Sequence, residues 1–261
     1  INQNYALAYN NRGNVRDDLG DKQVAIDDYT LAIKINPNYA QAYYNRGIVR
    51  YDLGYKQLAK DDYTQAIKIN QNYALAYNNR GNVRDDLGDK QGAIDDYNQA
   101  IKINPNYALA YYNRGNVRYQ LGDKQGAIDD FNQAIKINPN YADAYYNRGI
   151  VRYDLGDKPG AIDDFNQAIK INPNYANAYY NRGIVRDDLG DKQGAIDDYT
   201  QAIKFNPNYA NAYYNRGLVR DDLGDKQGAI EDYNQAAKLY QQQGKNEDYQ
   251  DALNTIRKLQ Q

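Results

Sequence analysis

The chain of 261 residues contains no Cys, no His, no Met and no Trp, and only 6 Pro and 3 Phe. Each absence excludes a chemistry. Without Cys there is no disulfide framework, no thiolate nucleophile and no thiolate-bound zinc. Without His the commonest metal ligand and the commonest general base are both missing. No run approaches the roughly 18 apolar residues of a membrane span, and mean hydropathy is −0.97. Charge of one sign is also lacking. There are 32 basic and 34 acidic residues for a net −2, so composition points to neither a nucleic acid nor a membrane partner. The absence of Cys suits a reducing or an oxidising compartment alike; the compartment stays open, with the cytoplasm favoured. The chain starts at Ile1 with no Met anywhere, and the expectation is that it is a piece of a longer protein.

What is abundant is Tyr, 30 residues, and repetition. Tyr5, Tyr39, Tyr73, Tyr107, Tyr141, Tyr175 and Tyr209 each open the same 34-residue block. Seven copies start at Ala6, Ala40, Ala74, Ala108, Ala142, Ala176 and Ala210. Residues 1–5 match the end of a block, which reads as the remainder of a preceding repeat. Residues 1–23 recur unchanged as 69–91, so the duplicated unit was a pair of repeats.

Each block reads as two helices. In the fourth, the first runs from about Tyr107 to Leu121, with Asn106 as N-cap and Gly122 as the C-terminal cap. The second runs from about Gln125 to Ile137 and stops at Asn138-Pro139. Pro159 falls in the first turn of the equivalent helix of the fifth copy, where a missing N–H costs little. After the seventh copy the pattern breaks. Tyr249, Ala252, Leu253, Ile256 and Leu259 then recur at helical spacing, and residues 242–261 read as a capping helix over the last repeat.

The block resembles the tetratricopeptide repeat. The family's pattern falls on Tyr111, Arg114-Gly115, Arg118, Ala127, Phe131 and Pro139, over roughly residues 4–241. It departs from the family in Arg at 114 and 118 and their equivalents, and in Gln71 where the family has Pro. The resemblance is closest to tandem arrays common in bacteria, cyanobacteria especially. It implies an all-α, right-handed superhelical solenoid whose first helices line a concave groove. It also implies a non-catalytic scaffold for protein–protein interaction.

Within the first helix two stripes emerge at spacings of three and four. Ala108, Tyr111, Arg114, Gly115, Arg118 and Leu121 are assigned to the packed side. Arginines there need a partner, and an acid recurs on the second helix at each copy. The expected ion pairs are Arg46 with Asp62, Arg114 with Asp130 and Arg148 with Asp164, bidentate as a guanidinium allows. The Arg118 column has no assigned partner. With an acid for every base, a nucleic-acid surface is not expected.

The other stripe, in the groove by resemblance, carries Tyr44, Tyr112, Tyr146, Tyr180 and Tyr214 beside Asn45, Asn79, Asn113, Asn147, Asn181 and Asn215. One turn on come Asn82 and Asn116, then Tyr119 and Tyr153. Tyr supplies contact area at low entropic cost, and Asn offers a donor and an acceptor to a peptide backbone. These residues are the candidate site for a peptide or helical segment of a partner protein. The Tyr-x-Asn-Arg signature is similar to that of co-chaperones that clamp a terminal carboxylate, but the clamp's groove cations are missing. Acidic positions Asp187, Asp188, Asp221 and Asp222 favour a neutral or mildly basic segment instead.

The alternatives are head-to-tail self-association through the exposed first repeat, and the recognition arm of a larger enzyme or signalling protein. Asp-Asp-Leu-Gly-Asp at 85–89 lacks the alternating acids of a calcium loop, and carboxylate pairs copied seven times suit packing better than a unique catalytic centre. No catalytic residue, cofactor or metal is expected.

Overall fold

A computed structural model describes residues 4–260. Of the block end read at residues 1–5, Ile1, Asn2 and Gln3 lie outside the described residues. Every regular element among the described residues is an α-helix. Two compact units divide the chain after Ile137. The amino-terminal unit holds α1 (Asn4–Asp18), α2 (Lys22–Ile35), α3 (Ala40–Asp52), α4 (Lys56–Ile69), α5 (Ala74–Asp86), α6 (Lys90–Ile103), α7 (Ala108–Gln120) and α8 (Lys124–Ile137). The carboxy-terminal unit holds α9 (Ala142–Asp154), α10 (Lys158–Ile171), α11 (Ala176–Asp188), α12 (Lys192–Phe205), α13 (Ala210–Asp222), α14 (Lys226–Gln242) and α15 (Asn246–Leu259). In each unit successive helices pair as hairpins, and each hairpin packs on the next. The fold class is an all-α solenoid of helix-turn-helix units.

The helix boundaries follow local chemistry. Each odd-numbered helix from α1 to α13 ends at a Gly in the left-handed region, for example Gly122 at φ 86°, which an L side chain would strain. In the third to seventh copies the following Asp then caps the second helix, as Asp123 Oδ1 accepts from the Gly126 N–H at 2.9 Å; in the first two, Asp21 makes no side-chain cap bond and Tyr55 stands in the acid's place. Gly126 leaves room for this cap, since a Cβ there would stand 2.1 Å from the Asp123 carboxylate; the two copies without the cap carry Val24 and Leu58 at that position. Pro159 sits in the first turn of α10. Asn106, however, is not the N-cap of α7. Its N–H donates to Asn104 Oδ1 at 3.1 Å, a local Asx turn. The cap position belongs to Tyr107, which makes no side-chain cap bond.

The core is one motif repeated. An Ala and an aromatic ring of a second helix enclose a Val of the next first helix, as Ala93 and Tyr97 enclose Val117, or Ala161 and Phe165 enclose Val185. The ring also lies over a Gly of its own hairpin. A Cβ on Gly81 would meet the Tyr97 ring at 2.6 Å, which is why a helix-weakening residue stands mid-helix. The packed stripe is therefore centred on Ala110, Gly115 and Val117. Leu121, assigned to it from spacing, is 53% exposed, because it lies past the last turn of α7 at the C-cap.

The two ends differ. Val15 is 56% exposed, whereas its equivalents from Val49 to Val219 are at most 1% exposed. No second helix precedes α1 among the described residues. At the other end, α15 covers α14. Ala252 packs with Ala236, Ala237 and Tyr240, and Ile256 with Ala229 and Tyr233. Truncating Ile256 to Ala opens a cavity in that seam. The expected cost is about 2 kcal/mol or more, seen as faster amide exchange in α14; unchanged exchange there would show that α15 does not hold the end of the array.

Candidate functional site

The acid at the centre of each hairpin is nearly inaccessible and holds two arginines. Asp130 accepts from Arg114 Nε at 2.9 Å and Nη2 at 2.5 Å, and from Arg118 Nη1 at 2.9 Å. The same fork joins Arg46 to Asp62 at 3.0 and 2.7 Å, and Arg148 to Asp164 at 2.9 and 2.5 Å. The column without an assigned partner thus shares the acid of the first. Its Nη1 also reaches a carbonyl, as in Arg118 to Gly126 O at 3.3 Å. A step of four residues, about one turn of the first helix, places both guanidiniums over one carboxylate, a convergence that only the crossing of the two helices creates.

The first arginine also ties hairpins together. Arg114 Nη1 donates to Asn98 Oδ1 of the preceding second helix at 2.5 Å, and Arg46 Nη1 to Thr30 Oγ1 at 3.0 Å. Each of these guanidiniums lies over the ring of the Tyr three residues back, as Arg114 over Tyr111 at 5.5 Å, a cation–π contact. In the first hairpin, before which the described residues hold no other, the side chain is more open: Arg12 is 51% exposed against 14% for Arg114.

On the same first helices, the asparagine column is engaged within the chain. The Nδ2 group donates to the residue 35 positions earlier. Asn79 meets the Tyr44 hydroxyl at 3.2 Å, Asn181 the Tyr146 hydroxyl at 2.8 Å and Asn215 the Tyr180 hydroxyl at 3.1 Å. Where Asn replaces Tyr, the amide oxygen takes its place: Asn45 donates to Asn10 at 3.1 Å and Asn113 to Asn78 at 3.1 Å. Both reach a second oxygen one turn on, at Asn14 and Asn82. The column is a ladder between hairpins, so at these positions an amide donor is already committed.

The tyrosines of this face are half-buried. Tyr44 packs on Tyr63 and Tyr73, Tyr112 on Phe131, Tyr146 on Phe165 and Tyr175, Tyr180 on Tyr199 and Tyr209, and Tyr214 on Tyr233. Asn116, Tyr119 and Asn147 are likewise partly buried. One edge of each ring is fixed by the core and the other faces outward. Beside them Leu75 and Leu109 stand exposed.

The acidic positions are mostly neutralised by this chain's own groups. Lys192 bridges Asp187 and Asp222 at 2.7 Å each. Lys158 meets Asp188 at 3.4 Å, which also accepts from the Tyr153 hydroxyl at 2.7 Å. Asp187, Asp188 and Asp222 are thus each matched by a lysine of the chain; of the four, Asp221 shows no such pairing among the described residues. The hydrogen bond to Asp188 pushes the Tyr153 phenol up to about 12. Burial, then its bond to Asp86, does the same for Tyr51, also to about 12.

Hollows open beside the first helices, two in the amino-terminal unit and one in the carboxy-terminal unit. One is lined by Asn14, Asp17, Asp18, Tyr29, Asn45 and Ile48, and a second by Tyr51, Asn82, Asp85, Asp86, Tyr97, Asn113 and Asn116. The third, about 170 Å³, is lined by Tyr180, Asn211, Tyr214, Asn215, Tyr240, Asp248 and Asp251. Its two acids come from α15, outside the repeat, and no periodicity in the sequence links them to the Tyr and Asn columns. Among the described residues, no cluster of acids, His or Cys could hold a metal ion, and no helix is long and apolar enough to cross a membrane.

Known proteins resemble the chain throughout. A model described as TPR repeat matches residues 18–54, 86–122, 115–156 and 188–224. Models described as tetratricopeptide repeat match 40–73, 142–175, 165–197 and 210–243. Among solved structures, MamA is 29% identical with a TM-score of 0.60, over 63% of this chain and 96% of its own. YrrB, described as a TPR protein with an unusual peptide-binding site, is 24% identical with a TM-score of 0.61, over 75% of this chain and 97% of its own. A tetratricopeptide repeat protein from Parabacteroides merdae is 22% identical with a TM-score of 0.71, over 96% of this chain and 99% of its own. Nothing matches among curated proteins.

Two predictions follow from the geometry. Replacing Arg114 by Ala leaves Asp130, 3% exposed, with one guanidinium instead of two, at an expected cost of about 3 kcal/mol. A loss under about 0.5 kcal/mol in urea unfolding, the range of surface changes, contradicts the bridge's role. The second concerns alkali. A phenol raised in the folded state stabilises fully below its unfolded value near 10, and that stabilisation is lost as pH rises through about 12. Helicity should hold to pH 10 and fall between 10 and 12, alongside tyrosinate absorbance; full helicity beyond that range would contradict the coupling.

Proposed function

We propose, for a chain that belongs to the tetratricopeptide repeat family, that the first-helix face binds an extended or helical segment of another protein. The coarser role is set by the family, a fold that generally serves as a non-catalytic scaffold for protein interaction. The finer reading rests on one observation: tyrosine rings held half-buried, their inner edges packed and their spacing fixed by the asparagine ladder. Such rings lose little entropy when they meet a ligand. The candidate residues Tyr44, Tyr112, Tyr146, Tyr180 and Tyr214 then act as anchors. Asn45, Asn79, Asn113, Asn147, Asn181 and Asn215 chiefly set their positions. Asn79, Asn181 and Asn215 each donate one ladder bond, and their second amide proton is what a ligand backbone could use, whereas Asn45 and Asn113 already donate to two oxygens each. Seven hairpins from Ala6 to Gln241, followed by the cap, make up the scaffold in this reading.

Head-to-tail self-association finds less support. It needs an open second helix to receive the exposed Val15 and Leu19 of α1, and α15 already covers that face of α14.

Because Tyr112 and Tyr146 pack on Phe131 and Phe165, removing them would disturb the fold as well as the face. The cleaner test uses Leu75 and Leu109, exposed beside the rings. Leu75→Asp with Leu109→Asp should abolish capture of the partner from extracts of the source cell, with stability changed by less than about 0.5 kcal/mol. Undiminished capture would place the binding surface elsewhere.

A further inference from the structure

The hollow where α13 and α14 meet α15 differs in charge from the others on this face. In the amino-terminal unit each hollow's acids come with a lysine of the chain. Lys22 lies 3.7 Å from Asp17, Lys90 bonds Asp85, and Lys56 lies 3.2 Å from Asp86. Asp248 and Asp251 have no lysine or arginine within 4 Å among the described residues, and no cation lines their hollow. Three of its walls are tyrosines, Tyr180, Tyr214 and Tyr240. The polar hydrogens that would greet an anion are turned into the walls. The Tyr240 hydroxyl donates to Asn211 Oδ1 at 3.0 Å, and Asn215 Nδ2 to the Tyr180 oxygen at 3.1 Å. Carboxylate, aromatic ring and phenol oxygen outweigh the amide protons of Asn211 and Asn215, which gives a surface of negative potential with an apolar body. The Tyr240 ring already draws one ammonium, Lys245 Nζ at 5.9 Å from its centroid, from outside the lining.

We propose that this hollow receives a cationic side chain, the guanidinium of Arg or the ammonium of Lys, from the segment bound on the first-helix face. The inference rests on the reading of that face as a binding surface and gives it a chemical anchor. The alkyl stem lies against the rings, and the charge meets Asp248 and Asp251. A volume of about 170 Å³ suits one such side chain and not a folded element. The anchor fixes the direction of the bound segment, because the hollows that contain Asp17 and Asp85, nearer the carboxyl ends of their first helices, carry lysines of the chain and would repel a second cation.

Amide NMR on the full chain tests this with Nα-acetyl-arginine methylamide, its lysine counterpart and the neutral citrulline isostere. The side-chain amides of Asn211 and Asn215 should shift with the arginine or lysine probe and stay still with citrulline. Asp248→Asn with Asp251→Asn, both on the exposed side of α15, should weaken the arginine probe about tenfold, as expected for a charged hydrogen bond lost, with circular dichroism unchanged. Equal shifts with citrulline, or unchanged affinity in the double variant, would overturn the proposal. So would binding of choline with none of either amino-acid probe, which marks a small-amine site instead. Because the probes test the hollow alone, its failure leaves the Leu75 and Leu109 test of the face standing, and the reverse holds.

Discussion

The structure depends on a carboxylate placed where water hardly reaches. In the interior hairpins an acid 2–4% exposed is tolerable only because two guanidiniums from the facing helix meet it. That requirement sets the pairing of the two helices in angle and register, since Nε, Nη2 and a second Nη1 must converge on two oxygens. The same first guanidinium then spans to a Thr or Asn of the hairpin before it and lies over a Tyr of its own helix. One polar cluster therefore does what a large apolar residue does in a conventional helical core, and adds directionality. It also explains how a chain of mean hydropathy −0.97 folds with a core of Ala, Val and single aromatic rings.

The first-helix face is built on a second polar device. Within each unit, the asparagine ladder joins a hairpin to its predecessor through a tyrosine or asparagine oxygen. Tyr and Asn at that acceptor position are interchangeable because both present an oxygen in the same place, while only Tyr adds a ring. Copies with Tyr thus gain contact surface without losing the ladder. The side chains that suggest recognition are in large part also those that hold the array together. In the proposed reading, a ligand meets a surface organised in advance.

The carboxy-terminal end shows what happens when the repeat is released. Tyr240 stands where other copies have the helix-ending Asn, so α14 runs on to Gln242. The helix that follows supplies apolar residues to the seam and acids to the hollow. Capping and a distinct electrostatic environment arise from the same departure.

By itself the sequence determined the helices, their pairing and the acid partner of the first arginine column. Period, glycine and proline positions and matched charges are local or recur in phase, and repetition multiplies a weak signal seven times. The second arginine column, the inward commitment of the asparagines and the neutralisation of Asp187 and Asp188 were decided only in three dimensions. Each depends on which atoms converge when one helix crosses another, and spacing along one helix does not encode that. The hollow containing Asp248 and Asp251 lay furthest from the sequence. It joins a periodic segment to a non-periodic one, and only their packing brings the rings and the acids together.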